Sequence, residues 1–350
     1  MLAAVYYGPE DLRVEQRPVP SVGLDEALLK VSNTGICGTD LRILHGAHHK
    51  YADGVIRIPG HEVVGDIVKI GARVKGLEVG QRVFVAPNMG CGHCRQCISG
   101  NNNRCADYQA LGVTLDGAFA EYMRIPAAAI LQGNVLPISH NTDPAAAAMI
   151  EPFACVLRGQ NTVNVGPGDV VLVMGAGPIG MMHVMLARLR GAAKVIVSEL
   201  METRLEQAIE AGADVGVNPA EENLTAVVMA ESNGEGADVI IVAAPAHAAQ
   251  EEALQLAAIG GRINYFGGLP KQKPYINFNA NTVHYREIVV TGTTACSTAD
   301  CRQAAAIVSS GCIDLARVIS GRFPLSKAVE AFSAAEARTS LKIVIEPRKE

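Results

Sequence analysis

Val170-Val-Leu-Val-Met174-Gly175-Ala-Gly177-Pro-Ile-Gly180 is the stretch that decides the fold. A short apolar run bounded by glycine reads as a strand buried on both faces, and the segment Met181–Arg190 after it reads as a helix. The same alternation continues with a strand at Val195–Ser198 and a helix at Thr203–Ala211. Further strands are expected at Val239–Ala243 and Arg262–Phe266, with Ile288–Thr291 closing the sheet. Apolar strands alternating with helices predict an α/β, doubly wound parallel sheet covered on both faces. A GxGxxG string alone is weak in a chain with 35 glycines. Its place between strand and helix gives it weight, because each glycine then has a task. The first makes the turn, the second lets backbone approach a pyrophosphate, and the third lets helix and strand touch. The helix start adds N–H groups and a partial positive charge. Gly175, Ala176, Gly177, Pro178, Ile179 and Gly180 are therefore the candidate dinucleotide cradle, set against the plainer reading of a tight turn without a ligand.

The second strand ends in Ser198-Glu199, nineteen residues after Gly180. A carboxylate there can accept both ribose hydroxyls of NAD and would repel the 2′-phosphate of NADP. At an effective dielectric of about 20 that contact costs a few kcal/mol, so NAD is the expected cofactor. Arg204 is near enough in sequence to join this site and to temper the preference.

The N-terminal half has another texture. Short β-type runs at Ala27–Val31, Glu62–Ile70, Arg82–Ala86 and Phe119–Ile125 are separated by Gly and Pro, which predicts a β-rich, partly barrel-like domain. Near Asp143 the pattern changes: Asp143 is placed to cap a helix opened by Pro144 and four alanines. The tail Phe323–Ile345 reads as helix then strand and is expected to return to the first domain. The predicted domains are 1–150 with 286–350, and 151–285.

Cys91-Gly-His-Cys94-Arg-Gln-Cys97, followed seven residues later by Cys105, has the spacing that wraps one tetrahedral ion. Four thiolates leave no open position, which suits structural zinc. The segment, with Asn101 to Asn103, reads as an excursion held by metal and not by a core. Nine cysteines without a basic, apolar leader favour metal binding over disulfides and a cytoplasmic address.

Cys37 in Gly35-Ile-Cys37-Gly38-Thr39-Asp40, His61-Glu62 in Gly60-His61-Glu62-Val-Val-Gly65, and Glu151 before Pro152 are each unremarkable alone. A buried cysteine, a hydrogen-bonded histidine and a helix-end glutamate would serve as well. Together they offer thiolate, imidazole and carboxylate, the three-ligand set that leaves a catalytic zinc one open position. Either Glu62 or Glu151 can supply the carboxylate.

With these motifs in place the chain resembles the zinc-dependent medium-chain dehydrogenase family over nearly its whole length. The likeness rests on Cys37-Gly-Thr39-Asp40, on Gly60-His61-Glu62-x2-Gly65-x5-Gly71-x2-Val74, and on the four-cysteine lobe. It rests also on Glu151-Pro152, on Gly175–Gly180 and on Glu199. Glu62 and Glu151, with Tyr265-Phe266-Gly267-Gly268 and His284-Tyr285-Arg-Glu287, look like the polyol (sorbitol/L-iditol) dehydrogenase branch.

The resemblance implies a GroES-like catalytic domain joined to a Rossmann NAD-binding domain. It implies one catalytic zinc on Cys37, His61 and Glu62 or Glu151, and one structural zinc on Cys91, Cys94, Cys97 and Cys105. Thr39 would relay the alcohol proton and Asp40 would orient His61. The implied reaction moves hydride from a secondary alcohol of a polyol to NAD, and the implied assembly is a homodimer or homotetramer. One position departs from the pattern: Arg42 stands where many relatives carry a relay histidine. An arginine is always protonated and is a poor proton shuttle, so contact with cofactor phosphates or an anionic substrate is its alternative role. His45, His48 and His49 read as surface residues.

Composition narrows the classes. The chain is 49% hydrophobic and 19% charged, with net charge −5, no Trp and 4% aromatics. That offers neither a basic footprint nor a stacking platform for nucleic acid, and no apolar run is long enough to span a bilayer. Polyol-phosphate dehydrogenase and L-threonine 3-dehydrogenase are the rivals within the enzyme class. A non-catalytic nucleotide-binding protein is the rival outside it, disfavoured by the complete ligand set, as is a zinc-free quinone reductase.

Overall fold

A computed structural model describes residues 1–337 and 340–347; residues 338, 339 and 348–350 of the expected C-terminal tail lie outside the described residues. The chain folds as two compact units, Met1–Ala154 with Cys296–Glu350, and Cys155–Ala295. The chain thus returns to the first unit at 296 and not at 286. The reason is that Val289–Gly292 pairs in parallel with Ala257–Tyr265 and completes the second unit's sheet. No helix among the described residues is long and apolar enough to cross a membrane.

The second unit is a six-stranded parallel sheet. Its order is Val215–Val217, Lys194–Ser198, Val170–Met174, Ala237–Val242, Ala257–Tyr265, Val289–Gly292. In chain order this is 3-2-1-4-5-6, the arrangement whose switch point lies beside the first strand and binds a dinucleotide. The apolar run that decides the fold is its centre: Val171, Leu172 and Val173 are all fully buried, each side chain contributing about 1.5–3 kcal/mol of burial. The helix after the glycine turn runs Pro178–Leu189, starting three residues earlier than its apolar periodicity suggests because Pro178 is suited to the first helical position. The Val215–Val217 strand and the helices Leu224–Glu231 and His247–Leu256 have no counterpart among the expected elements.

In the first unit a seven-stranded sheet carries the candidate metal site. Ala27–Gly35 lies at its middle, antiparallel to Glu62–Ile70 on one side and to Lys342–Glu346 on the other. Tyr122–Ile125 also pairs with Ala27–Gly35. The alternate residues Leu29, Val31, Val63, Ile67, Val83 and Val85 fill the space enclosed by these strands. A second cluster joins Ala3, Val5 and Phe119 to Phe332 of the Ala328–Glu336 helix, with the two phenylalanine rings edge-on at 5.3 Å.

Candidate active site and metal centres

Strand register assembles the first centre. Gly35 is paired with Glu62, so the chain leaving Ala27–Gly35 toward Cys37 passes the chain entering Glu62–Ile70 from His61. On the other flank Val344 pairs with Gly35, and the Ile36 amide donates to the Ile343 carbonyl at 3.0 Å. Continuing that antiparallel register brings Lys342 level with Cys37. Gly35 makes the space: a Cβ there would fall on Glu62 Oε2 and within 2.7 Å of Met149 Cε.

The donor atoms of Cys37, His61 and Glu62 all lie within 4.8 Å of one another. Asp40 sits in the first turn of the Gly38–Leu44 helix, where its Oδ2 accepts from the Cys37 amide at 2.9 Å. Its Oδ1 faces His61 Nδ1 at 3.4 Å, so one carboxylate orders both a thiol-bearing turn and an imidazole. Burial opposes charge on His61, but Asp40 and Cys37 beside it outweigh burial and hold its pKa well above 6.5. Glu62 Oε2 is a buried polar atom without a hydrogen-bond partner among the described residues. Sulfur, imidazole and carboxylate donors brought together at a buried site fit a zinc ion.

Glu151 opens the Ile150–Thr162 helix and is buried, but it falls outside that triad. Its Oε1 lies 3.6 Å from the Cys296 thiol. Burial pushes its pKa up; His61 and Lys342 pull it down, while the negative charge of Glu62 adds to the rise. These couplings place Glu151 within electrostatic reach of the centre without making it part of the tight group.

Lys342 is absent from the expected site residues. Its Nζ meets Glu62 Oε1 at 2.5 Å, and both side chains are buried, Lys342 to 5% exposure and Glu62 to 0%. Burial disfavours the ammonium, but the Glu62 carboxylate and the nearby Cys37 and Asp40 more than offset it, so its pKa is raised. The available signal was a lone charge opening the apolar strand Lys342-Ile-Val-Ile-Glu346.

Thr39 Oγ1 accepts from Arg42 at 3.1 Å, and Arg42 is exposed. His45 is tied to Glu10 at 2.5 Å and to Glu336 at 2.6 Å. That bridge, between the first hairpin and the Ala328–Glu336 helix, explains it as a surface residue. His48 and His49 stack on each other at 4.9 Å.

The four thiols of Cys91, Cys94, Cys97 and Cys105 form the second group within 4.8 Å. The Cys91 amide donates to Cys105 Sγ at 3.3 Å and the Cys94 amide to Cys91 Sγ at 3.4 Å. The Cys97 amide lowers the Cys94 pKa to about 7, whereas desolvation pushes Cys97 up to about 12. A Cβ on Gly90 would fall on Cys97 Sγ, so the turn is shaped around the sulfurs.

The lobe is also held by more than its thiols, which corrects the expectation of a segment held by metal alone. Asn102 is buried, donates to the Asn88 carbonyl at 2.7 Å and accepts from the Thr298 amide at 2.9 Å. Asn134 donates to the same Asn88 carbonyl at 2.7 Å.

In the second unit the three glycines divide their tasks as the motif requires. Gly175 has φ +103° and a Cβ there would press on Ala244 at 3.0 Å. A Cβ on Gly180 would fall on the Gly175 carbonyl, and one on Gly177 would meet nothing within 4 Å. Gly177 therefore borders the open space, and the helix it caps has no side-chain cap on its first amides. Unpaired helix-start amides beside open space are the arrangement that suits a phosphate. Ala176 is buried and its amide donates to Glu199 Oε2 at 2.8 Å, while Pro178 and Ile179 form the first helical turn. Glu199 Oε1 accepts from Leu200 at 2.8 Å, and Arg204 stands 3.9 Å from Glu199.

Residues 23–137 match the alcohol dehydrogenase GroES-like domain, and residues 178–310 match the zinc-binding dehydrogenase domain. The chain belongs to the zinc-dependent medium-chain dehydrogenase family. This dehydrogenase is 33% identical to the L-threonine 3-dehydrogenase of Saccharopolyspora erythraea, over 96% of this chain and 95% of that one. It is 31% identical to the sorbitol dehydrogenase of Bacillus subtilis, over 100% of this chain and 98% of that one. Among solved structures, a zinc-binding dehydrogenase from Sinorhizobium meliloti bound to NADP superposes with a TM-score of 0.91 at 31% identity, covering 99% of both chains.

Proposed function

We propose that this dehydrogenase oxidises a secondary alcohol of a polyol to the ketone with NAD, using a zinc ion held by Cys37, His61 and a carboxylate from Glu62 or Glu151. A second zinc, on Cys91, Cys94, Cys97 and Cys105, is structural. The observation that carries the reading is the convergence of Cys37, His61 and Glu62 donor atoms within 4.8 Å, backed by Asp40. When bound, zinc supplies Lewis acidity toward an alcohol oxygen and NAD supplies the hydride acceptor.

The chain's own residues do the rest. Asp40 fixes which imidazole nitrogen faces the donor group, because its Oδ1 opposes Nδ1 and leaves Nε2 for the metal. Thr39 is the hydroxyl on the Gly38–Leu44 turn that can take the alcohol's proton by hydrogen bond and release its own. Arg42 donates to Thr39 Oγ1, so the Thr39 hydrogen points elsewhere and the oxygen keeps a lone pair for substrate. Two carboxylates beside the open position suit vicinal hydroxyls, which can engage a cation through two oxygens. Overall the alcohol loses a hydride to NAD and a proton to solvent, giving ketone, NADH and a proton. Glu199 underlies the choice of NAD over NADP. A cytoplasmic homo-oligomer is the accompanying expectation.

The similarity to an L-threonine 3-dehydrogenase favours a second reading, in which the vicinal group is an amine. Monitoring NAD reduction over C4–C6 polyols, their phosphates and L-threonine, with and without a chelator, separates the two. Chelator-sensitive turnover of a polyol supports the first reading. Turnover of L-threonine with none of any polyol supports the second. Turnover that survives complete zinc removal refutes both.

A further inference from the structure

The Lys342–Glu62 pair is, beside the His61–Asp40 contact, a buried ion pair touching the Cys37–His61–Glu62 group. It sits where Lys342, Cys37 and Glu62 are brought together by two neighbouring strand pairings. Glu62 is thus claimed twice. Its Oε1 holds a buried ammonium at 2.5 Å, and its oxygens lie within reach of the Cys37 and His61 donors. A buried ammonium cannot surrender its only short carboxylate contact without becoming an uncompensated charge. Glu62 approaching a metal must weaken that contact, and Glu151, electrostatically coupled to both Glu62 and Lys342, is the second carboxylate waiting nearby.

We propose that Lys342 is a positioning residue that competes with the catalytic metal for Glu62. By holding Oε1 it limits direct ligation by Glu62 and keeps a coordination position available for substrate. The proposal rests on the metal role assigned to this site above. Lys342 acts through Glu62 and need not touch the reacting atoms.

The test uses the full-length protein, loaded with zinc and, separately, with cobalt. Lys342→Gln keeps a hydrogen-bond donor for Glu62 and removes the charge, so Glu62 is not left bare. Released to the metal, Glu62 should tighten retention at the catalytic site by about tenfold against a chelator, the scale on which outer partners tune metal affinity. The cobalt form should lose d–d intensity as coordination number rises. In the Glu62→Gln background the same Lys342→Gln change should alter retention by less than about twofold, the limit of simple additivity. Lys342→Arg should restore the parent spectrum. Unchanged or weaker retention in Lys342→Gln would overturn the proposal, as would an equal gain with and without Glu62, which would mean a bare field effect. Should the parent chain bind one zinc and not two, the functional reading and this proposal would both fall. Two zincs with an insensitive Lys342 would remove this proposal alone.

Discussion

Removing one charge at the nucleotide site gives the sharpest test. Glu199 lies at the end of the Lys194–Ser198 strand, where its side chain is 12% exposed and three backbone amides, from Ala176, Leu200 and Met201, hold it in place. A 2′-phosphate brought within ~4 Å would face that carboxylate at a repulsion of about 4 kcal/mol for an effective dielectric of 20. Arg204, 3.9 Å from Glu199, offsets part of it; allowing it half leaves about 2 kcal/mol, a factor of about 30. Glu199→Gln removes the charge, keeps an acceptor for ribose and the Ala176 amide, and leaves Arg204 facing the phosphate. The parent should therefore favour NAD by about 30-fold, and because the substitution removes the whole repulsion while Arg204 stays, the ratio of kcat/KM for NAD over NADP should fall by at least about 30-fold, most of it as a gain with NADP. The assay is initial-rate cofactor titration at fixed, saturating substrate, at low and high salt, since screening should shrink the parent's preference. A parent enzyme that prefers NADP, or an unchanged ratio in Glu199→Gln, would refute the reasoning. That a relative of the same fold was solved bound to NADP makes the outcome informative.

Gly90→Ala puts a methyl group onto Cys97 Sγ; zinc content should fall from two per chain to one, stability should drop by about 1–3 kcal/mol, and NAD binding measured by fluorescence should persist. His183 is fully buried in the second unit, and desolvation, with Arg190 adding, pushes its pKa down to about 3. The unfolded chain takes up that proton near ~6.5, so below that pH the unfolded state binds one proton more and stability falls by about 1.4 kcal/mol per pH unit until about 3. In urea denaturation between pH 6 and 4, His183→Gln should flatten this slope by that amount, and parallel slopes would count against it. Arg42→His replaces a group that never titrates with one that does near ~6.5; kcat for alcohol oxidation should gain an inflection there, and a pH profile identical to the parent would remove position 42 from the proton path.

What the sequence made legible was whatever depends on local spacing. The glycine turn, the acid after the second strand and the four-thiol lobe each carry their candidate chemistry within a few residues, and the fold keeps each of those groups of residues together. The Asp143 cap is of the same kind: its side chain accepts from the Ala145 amide at 3.0 Å. What stayed hidden depends on register between distant strands. Lys342 meets Glu62 across 280 residues of chain, because two antiparallel pairings happen to converge on Gly35. No periodicity signals that. The domain return is a different case: the closing strand was legible at Ile288–Thr291, but the boundary expected at 286 falls before it, whereas Val289–Gly292 pairs within the second unit's sheet and the chain returns only at 296. Asn101 to Asn103 looked like loop filler because composition cannot distinguish a solvated amide from one whose partners lie elsewhere in the fold.

Those partners connect the four-thiol lobe to Glu151, the carboxylate beside the Cys37–His61–Glu62 group. Asn102, in the thiol lobe, and Asn134 both donate to the Asn88 carbonyl. The Asn88 side chain in turn donates to the Cys296 carbonyl at 3.0 Å, and the Cys296 thiol lies against Glu151. Thr298 closes the network by donating to Asn134 Oδ1 at 3.1 Å while its amide is held by Asn102. A buried network of this kind is stable only when all its members are satisfied, and a metal on the four sulfurs would help to fix the lobe that carries Asn102. Emptying the lobe should therefore not act on stability alone. Asn102→Ala, which leaves every thiol intact, should loosen Cys296 and Glu151 and lower catalytic-site metal retention while lobe zinc stays bound. If Asn102→Ala lost only thermal stability, with catalytic-site metal retention unchanged, the two centres would be independent and the lobe would be a fastening for its own loop.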